Sequence, residues 1–190
     1  MDCQSEYEKH LKIAEQCAPV VADVKSSNLL LLEGVTTAEV EELVRDTGVS
    51  VCYLYSGRKK NAWLLYQRSR MEEILSDREN RGFLQSCGYR QFSLEDVLAG
   101  LRDRAQKYLS GQGEYPHELG LLLGYPLGDV RGFIEYQGKN FLCSGFWKVY
   151  SDEDHARRTF ALYRKVRHEA VTRVKGMQRP ANYEKGGLKS

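Results

Sequence analysis

Apolar and polar positions alternate along the chain in two distinct periods. From Ser5 to Gln16, Tyr7, Leu11 and Ala14 fall on one helical face, while Glu6, Glu8, Lys9 and Lys12 fall elsewhere, which predicts an amphipathic helix. Cys17-Ala18-Pro19 is expected to end it, because the residue before proline avoids the helical region. A short segment, Val20 to Lys25, then leads to a strand over Leu29 to Glu33, bounded by Gly34. Thr36 or Thr37 caps the next helix with Glu39 in support, Val40, Leu43 and Val44 form its stripe, and Gly48 stops it. Val49 to Tyr55 and Ala62 to Gln67 read as strands, and Arg58-Lys59-Lys60-Asn61 between them makes a hairpin.

The middle of the chain is helical. Arg70 to Ser76 and Arg78 to Ser86 are short helices, and Ser93 opens a longer one whose buried face is Leu94, Val97, Leu98, Leu101, Ala105 and Tyr108. Two short helices follow, from about His117 to Leu123 and from about Leu127 to Tyr136, with Gly124-Tyr125-Pro126 as their turn. A last strand is expected over Phe141 to Tyr150, with Phe146, Lys148 and Tyr150 on one face and Trp147 and Val149 on the other. Asp152 opens the longest helix, which reaches Lys175 with Phe160, Tyr163, Val166, Ala170 and Val174 as its stripe. The expected fold class is α+β: a small, mainly antiparallel sheet of about four strands covered by helices, with a long C-terminal helix. Residues 1–175 are expected to form one domain and 176–190 a mobile tail containing Pro180 and Gly186-Gly187.

Composition narrows the function classes. The 190 residues carry a net charge of +2, too little to point to a nucleic-acid or membrane partner by itself. The polar start, Met1-Asp2-Cys3-Gln4, is no secretory signal, and no apolar run is long enough to span a bilayer, so the cytoplasm is the expected location. Cys3, Cys17, Cys52, Cys87 and Cys143 are scattered without C-x-x-C spacing and read as reduced thiols. No two histidines lie three or four residues apart, so local metal-ligand spacing is absent, and no motif names a cofactor.

Candidate chemistry concentrates in Tyr115 to Ile134. Gly120, Gly124, Gly128 and Gly132 recur every fourth residue, although glycine weakens a helix by about 1 kcal/mol relative to alanine. They serve either tight helix packing or a ligand lying against bare backbone. His117 and Glu118 are an acid–base candidate or a capped helix start. Phe146-Trp147-Lys148-Val149-Tyr150 joins aromatics to a cation, either as a core strand with one wet face or as the wall of a flat pocket. Cys17, expected on a partly exposed turn where Lys25 lowers its pKa, pairs with His117 as the one nucleophile–base combination in the sequence.

Charge is unevenly spread. From Asp152 onward there are ten basic against five acidic residues, so the last helix offers either a solvated face or a surface for an acidic partner. The helix pair around Gly124-Tyr125-Pro126 has the outline of a helix-turn-helix. Its second helix, however, carries Asp129 and Glu135 against Arg131 alone, a poor surface for phosphates.

The runs Pro116-His117-Glu118-Leu119-Gly120, Leu123-Gly124-Tyr125-Pro126-Leu127, Asp129-Val130, Gly132-Phe133-Ile134 and Gly145-Phe146-Trp147-Lys148-Val149-Tyr150 are specific enough to compare. Together with Cys17-Ala18-Pro19, Lys25 and Asn28, they resemble an uncharacterised bacterial family known only as a domain of unknown function, of the DUF3793 type. The resemblance runs from about Cys17 to Arg167 and transfers no catalytic residue, because the family has no established activity. It implies a setting among anaerobes, loosely associated with flavodoxin and iron uptake.

Three function classes follow as expectations. The first is an accessory binding protein of anaerobic redox or iron metabolism. It would take a small or planar ligand through Lys25, Glu118, Gly120, Gly124, Tyr125, Trp147, Lys148 and Tyr150, and dock an acidic redox protein such as a flavodoxin through Arg157, Arg158, Arg164 and Lys165. The second is a thiol-dependent enzyme using Cys17 with His117 as base. The third is a nucleic-acid-binding regulator acting through the basic last helix.

Overall fold

The computed structural model describes residues 5–177; Cys3 and nearly all of the expected tail lie outside that range. Its first sheet has three strands, β1 (Ser27–Leu32), β2 (Ser50–Ser56) and β3 (Asn61–Tyr66), in the order β1-β3-β2 with both pairings antiparallel. The hairpin of β2 and β3 is the one expected from the sequence. β3 is nevertheless the central strand, because β1 pairs along its other edge. The connection from β1 to β2 carries α2 (Thr37–Val44), capped by Thr36 and Glu39 in a reciprocal box, and a three-ten turn (Arg45–Thr47) that Gly48 ends at φ +72°.

Strand alternation sorts β3 between two cores. Trp63 and Leu65 join Leu30 and Leu32 of β1, Val40 and Val44 of α2, and Ile13, Cys17 and Val20 of α1 (Glu6–Val21). Leu64 and Tyr66 face the other way. They meet the helices α3 (Arg68–Ser76), α4 (Arg78–Ser86), α5 (Leu94–Leu109) and α6 (Glu118–Leu122). With both faces covered, β3 is buried from Ala62 through Tyr66, and its sequence reads as an unbroken apolar run.

Two expectations are corrected. α1 does not stop at Cys17 but runs to Val21 with Pro19 inside it. A proline in a helix interior costs about 3 kcal/mol. Burying Cys17 and Val20 against the sheet, with Ala18 buried beside them, offsets that loss. The Pro19 carbonyl also accepts from the N–H groups of Val24 (2.9 Å) and Lys25 (3.1 Å), which closes the turn into β1. The second correction concerns the expected strand over Phe141 to Tyr150. It is instead a small hairpin of β4 (Cys143–Ser144) and β5 (Lys148–Val149), separate from the main sheet. The chain reverses at Gly145, where a Cβ would stand 2.4 Å from the Phe160 ring.

A third apolar cluster joins this hairpin to α8 (Glu153–Met177), through Trp147 and Val149 on one side and Ala156, Phe160 and Tyr163 on the other. α8 also lies along α1, and farther out its stripe of Val166, Ala170 and Val174 is only half-buried. No helix among the described residues is long and apolar enough to cross a membrane.

The four spaced glycines prove not to be equivalent. Gly124 follows the end of α6 at φ +79°, a conformation that L side chains rarely adopt, and a Cβ there would meet Ser26 Oγ at 2.6 Å. Gly132, inside α7 (Leu127–Glu135), lies under Tyr150, whose Cβ and Cγ would be 2.6 Å from an added Cβ. Gly128 has only Ser151 at 3.4 Å. Gly132→Ala is therefore expected to cost about 1–3 kcal/mol through overpacking, whereas Gly128→Ala gains up to about 1 kcal/mol from helix propensity. Urea unfolding of the two variants against the parent checks the contrast.

Candidate functional site

The two helices α6 and α7 meet at the Gly124-Tyr125-Pro126 turn, and the β4–β5 hairpin closes over them. Between them lies a cavity of about 420 Å³. Its floor is Leu29 of β1; Tyr115 and His117 enter from the segment before α6, Gly120 and Leu123 from α6, and Val130 and Phe133 from α7. Ser144, Gly145, Trp147 and Lys148 come from the hairpin, and Tyr125 from the turn.

One carboxylate holds this wall in place. Asp129, in the first turn of α7, is 2% exposed. Its Oδ2 accepts from Trp147 Nε1 at 2.7 Å. Its Oδ1 accepts from the backbone N–H of Tyr150 at 2.8 Å, the N–H of Ser151 at 2.9 Å and the Ser151 hydroxyl at 2.8 Å. Trp147 is thus oriented by its own N–H. Its ring stacks on Tyr125 (centroids 5.1 Å apart, planes 24° from parallel) and takes the Phe160 ring edge-on at 4.5 Å. No local pattern in the sequence marks Asp129 for this task; an acid in a first helical turn is ordinary.

The structure brings together five of the residues singled out from sequence: His117, Gly120, Tyr125, Trp147 and Lys148 all border this cavity. The rings of Tyr115 and Phe133, which were not singled out, lie 5.2 and 5.9 Å from that of His117. Lys148 Nζ donates to the Gly138 carbonyl at 2.7 Å and lies over the Phe141 and Phe133 rings at 5.0 and 5.8 Å.

Other candidates go elsewhere. Glu118 is fully buried and accepts from Arg104 Nε (2.5 Å), Arg104 Nη2 (3.4 Å) and the Tyr89 hydroxyl (3.1 Å), so its carboxylate is engaged in tying α6 to α5. Burial and the adjacent Glu118 charge raise the Tyr89 phenol well above its usual value. Tyr150 packs on Gly132 and stacks on Tyr136 at 5.9 Å. Lys25 and Gly124 border a second cavity of about 300 Å³, separated from the first by Tyr125, which lines both. Lys25 is 3% exposed; its Nζ donates to Asn28 Oδ1 and lies 5.6 and 5.8 Å from the centroids of the Tyr125 and Tyr163 rings. Burial lowers its pKa to about 8, against a counteracting pull from Cys17.

Cys17 corrects the expectation of an exposed, activated thiol. It lies inside α1, is fully buried, and its Sγ faces the Leu29 carbonyl at 3.7 Å. Burial pushes its pKa up to about 12, an effect that Lys25 only partly opposes. Cys17 does not border the cavity that His117 lines, so the nucleophile–base pair is not assembled. Helix continuation through Pro19 is the reason: it turns the thiol toward β1 rather than solvent.

The chain matches the family model described as a protein of unknown function (DUF3793) over residues 13–182. It belongs to that family. No curated protein and no solved structure matches it. Membership in DUF3793 agrees with the resemblance carried by the glycine-rich helix pair and the aromatic hairpin, the same segments that build the cavity.

The buried thiol of this DUF3793 chain has a measurable consequence. Folded Cys17 keeps its proton to about pH 12, whereas an exposed thiol loses it near 9.0. The unfolded state then binds fewer protons between those values, so the contribution of Cys17 to stability is full below pH 9 and is lost as pH rises toward 12. Cys17→Ala is expected to flatten that part of the stability–pH curve relative to the parent, as measured by urea unfolding at a series of alkaline pH values.

Proposed function

We propose that this chain is a non-catalytic accessory protein that binds a small planar ligand in the cavity between α6, α7 and the hairpin. The observation that carries the reading is the Tyr125–Trp147 stack on the cavity wall, with Tyr115, His117 and Phe133 as further rings around the same space. Flat aromatic walls favour flat ligands through offset stacking. A volume of about 420 Å³ lies within the range of small-molecule sites. The site is also preorganised, because Asp129 and Phe160 hold Trp147 in place before any ligand arrives, which lowers the ordering cost of binding.

The cytoplasmic setting in anaerobic redox or iron metabolism, drawn from the family resemblance, belongs to this reading. So does an acidic redox partner such as a flavodoxin. Its support is the outer face of α8: Arg157, Arg158, Arg164 and Lys165 are all exposed, and the seven-residue spacing aligns them as two neighbouring rows. Arg157 is already paired with Glu153 at 2.5 Å, so Arg158, Arg164 and Lys165 would carry most of the attraction.

A Trp63→Phe variant leaves Trp147 as the sole tryptophan of the chain and makes its emission a direct reporter. Titration with a panel of flat heteroaromatic compounds is expected to quench it saturably, and Tyr125→Ala to weaken that binding about tenfold or more, the scale of a lost aromatic contact. Absence of quenching by every compound, together with no small molecule retained in native mass spectra of protein from its own host, would overturn the reading.

For the docking half, Arg158→Glu with Lys165→Glu is expected to abolish salt-sensitive binding to a purified flavodoxin in surface plasmon resonance. Unchanged binding and salt dependence would remove the α8 surface from the account.

A further inference from the structure

We infer that the planar ligand of this cavity is an aromatic acid, its anionic group received by His117 and Lys148. The inference rests on the reading of the cavity as a planar-ligand site and specifies the ligand's charge.

Among the described residues Asp129 is the only acidic side chain on its wall, and both of its oxygens are engaged by the four donors described above. No second carboxylate among the lining residues is left to receive a cation or a hydrogen-bond donor from a ligand. A ligand amine or ammonium group entering here would lose its water and find no anion in return, which is costly.

What the cavity offers instead is donors. Lys148 commits one of its three hydrogens to Gly138, has no carboxylate within ion-pair distance among the described residues, and is half-buried. His117 is half-buried too, and within the described residues its ring makes aromatic contacts with Tyr115 and Phe133 but no hydrogen bond or ion pair. Both groups border the same ring: the Phe133 centroid is 5.9 Å from that of His117 and 5.8 Å from Lys148 Nζ. A positive and a hydrogen-bonding group thus flank one part of the cavity, while Tyr125 and Trp147, stacked on each other, line another. A flat body carrying one anionic substituent satisfies both parts at once. Its charge replaces the water that Lys148 gives up, and charge-assisted hydrogen bonds are the stronger kind.

The carboxylate and the phosphate ester of an aromatic share this chemistry, and matched probes separate them. Isothermal titration calorimetry would compare 2-naphthoate, 2-naphthyl phosphate and the neutral 2-naphthamide on the full chain at moderate salt. At least one of the two anions is expected to bind about tenfold tighter or more than the amide, with the tighter anion identifying carboxylate or phosphate as the preferred group. Lys148→Met, which keeps an unbranched apolar stem and removes the ammonium held over Phe133 and Phe141, is expected to erase that preference by weakening the anions about tenfold or more relative to the amide. An amide that binds as tightly as both anions would overturn the inference and leave the planar-ligand site standing. Binding of none of the three, with the Trp147 reporter also silent to the wider panel, would overturn the planar-ligand reading itself. Should Lys148→Met lower the melting temperature, His117→Phe supplies the second test, because it keeps the aromatic packing and removes the donor.

Discussion

A carboxylate taken out of water is tolerated only when its lone pairs are filled, and Asp129 fills them from one side of the molecule alone. Its four donors come from Trp147, Tyr150 and Ser151, all on or just beyond the β4–β5 hairpin, while the carboxylate itself stands on α7. That one group therefore fixes the distance between a helix and a hairpin with only two short strands of its own. The orientation of Trp147, the stack on Tyr125 and the shape of the cavity all depend on it. The hairpin in turn docks on α8 through Phe160, so the cavity wall is continuous with the third apolar cluster.

Glu118 and Lys25, both buried, follow the same rule with different partners. Glu118 meets a guanidinium and a phenol, which ties α6 to α5 and to the Tyr89 loop. Lys25 has no ion pair among the described residues. It is held by the Asn28 amide oxygen and two aromatic faces, which favour the ammonium, but burial outweighs them and lowers the basicity of the amine. Asn28 then returns its own amide hydrogens to the Gln16 and Leu29 carbonyls, so this cluster joins α1 to β1 where Pro19 has interrupted the helix's bonding pattern. Cys17 sits in the same joint as a packed, protonated thiol.

Much of this was legible in local pattern, and the failures share one cause. The cap at Thr36, the hairpin from Ser50 to Tyr66 and the stripe of the Leu94 helix as far as Ala105 rest on residues within a few positions of one another and form as the pattern predicts, whereas Tyr108, expected on that stripe, is exposed. The residues around the cavity were found in part for the same reason: the glycine-rich helix pair and the aromatic hairpin are dense local signals. Pro19 misled because its local preference opposes burial of the whole segment, and burial prevailed. The segment from Phe141 to Tyr150 misled because its alternation is genuine, with Trp147 and Val149 buried, yet only the close approach of Phe160 to Gly145 forces the chain to turn back.

By itself the sequence determined most of the helices, the three strands of the main sheet, the caps at Thr36 and Ser93 and the α+β class, because periodicity and capping act over a few residues. Tertiary structure alone decided that β3 is central, that Cys17 is sealed while His117 opens on a cavity, and that Asp129 is the residue on which the site hangs. Each of those outcomes depends on groups far apart in the chain meeting in space. A carboxylate in a first helical turn looks the same on paper whether it faces water or four buried donors.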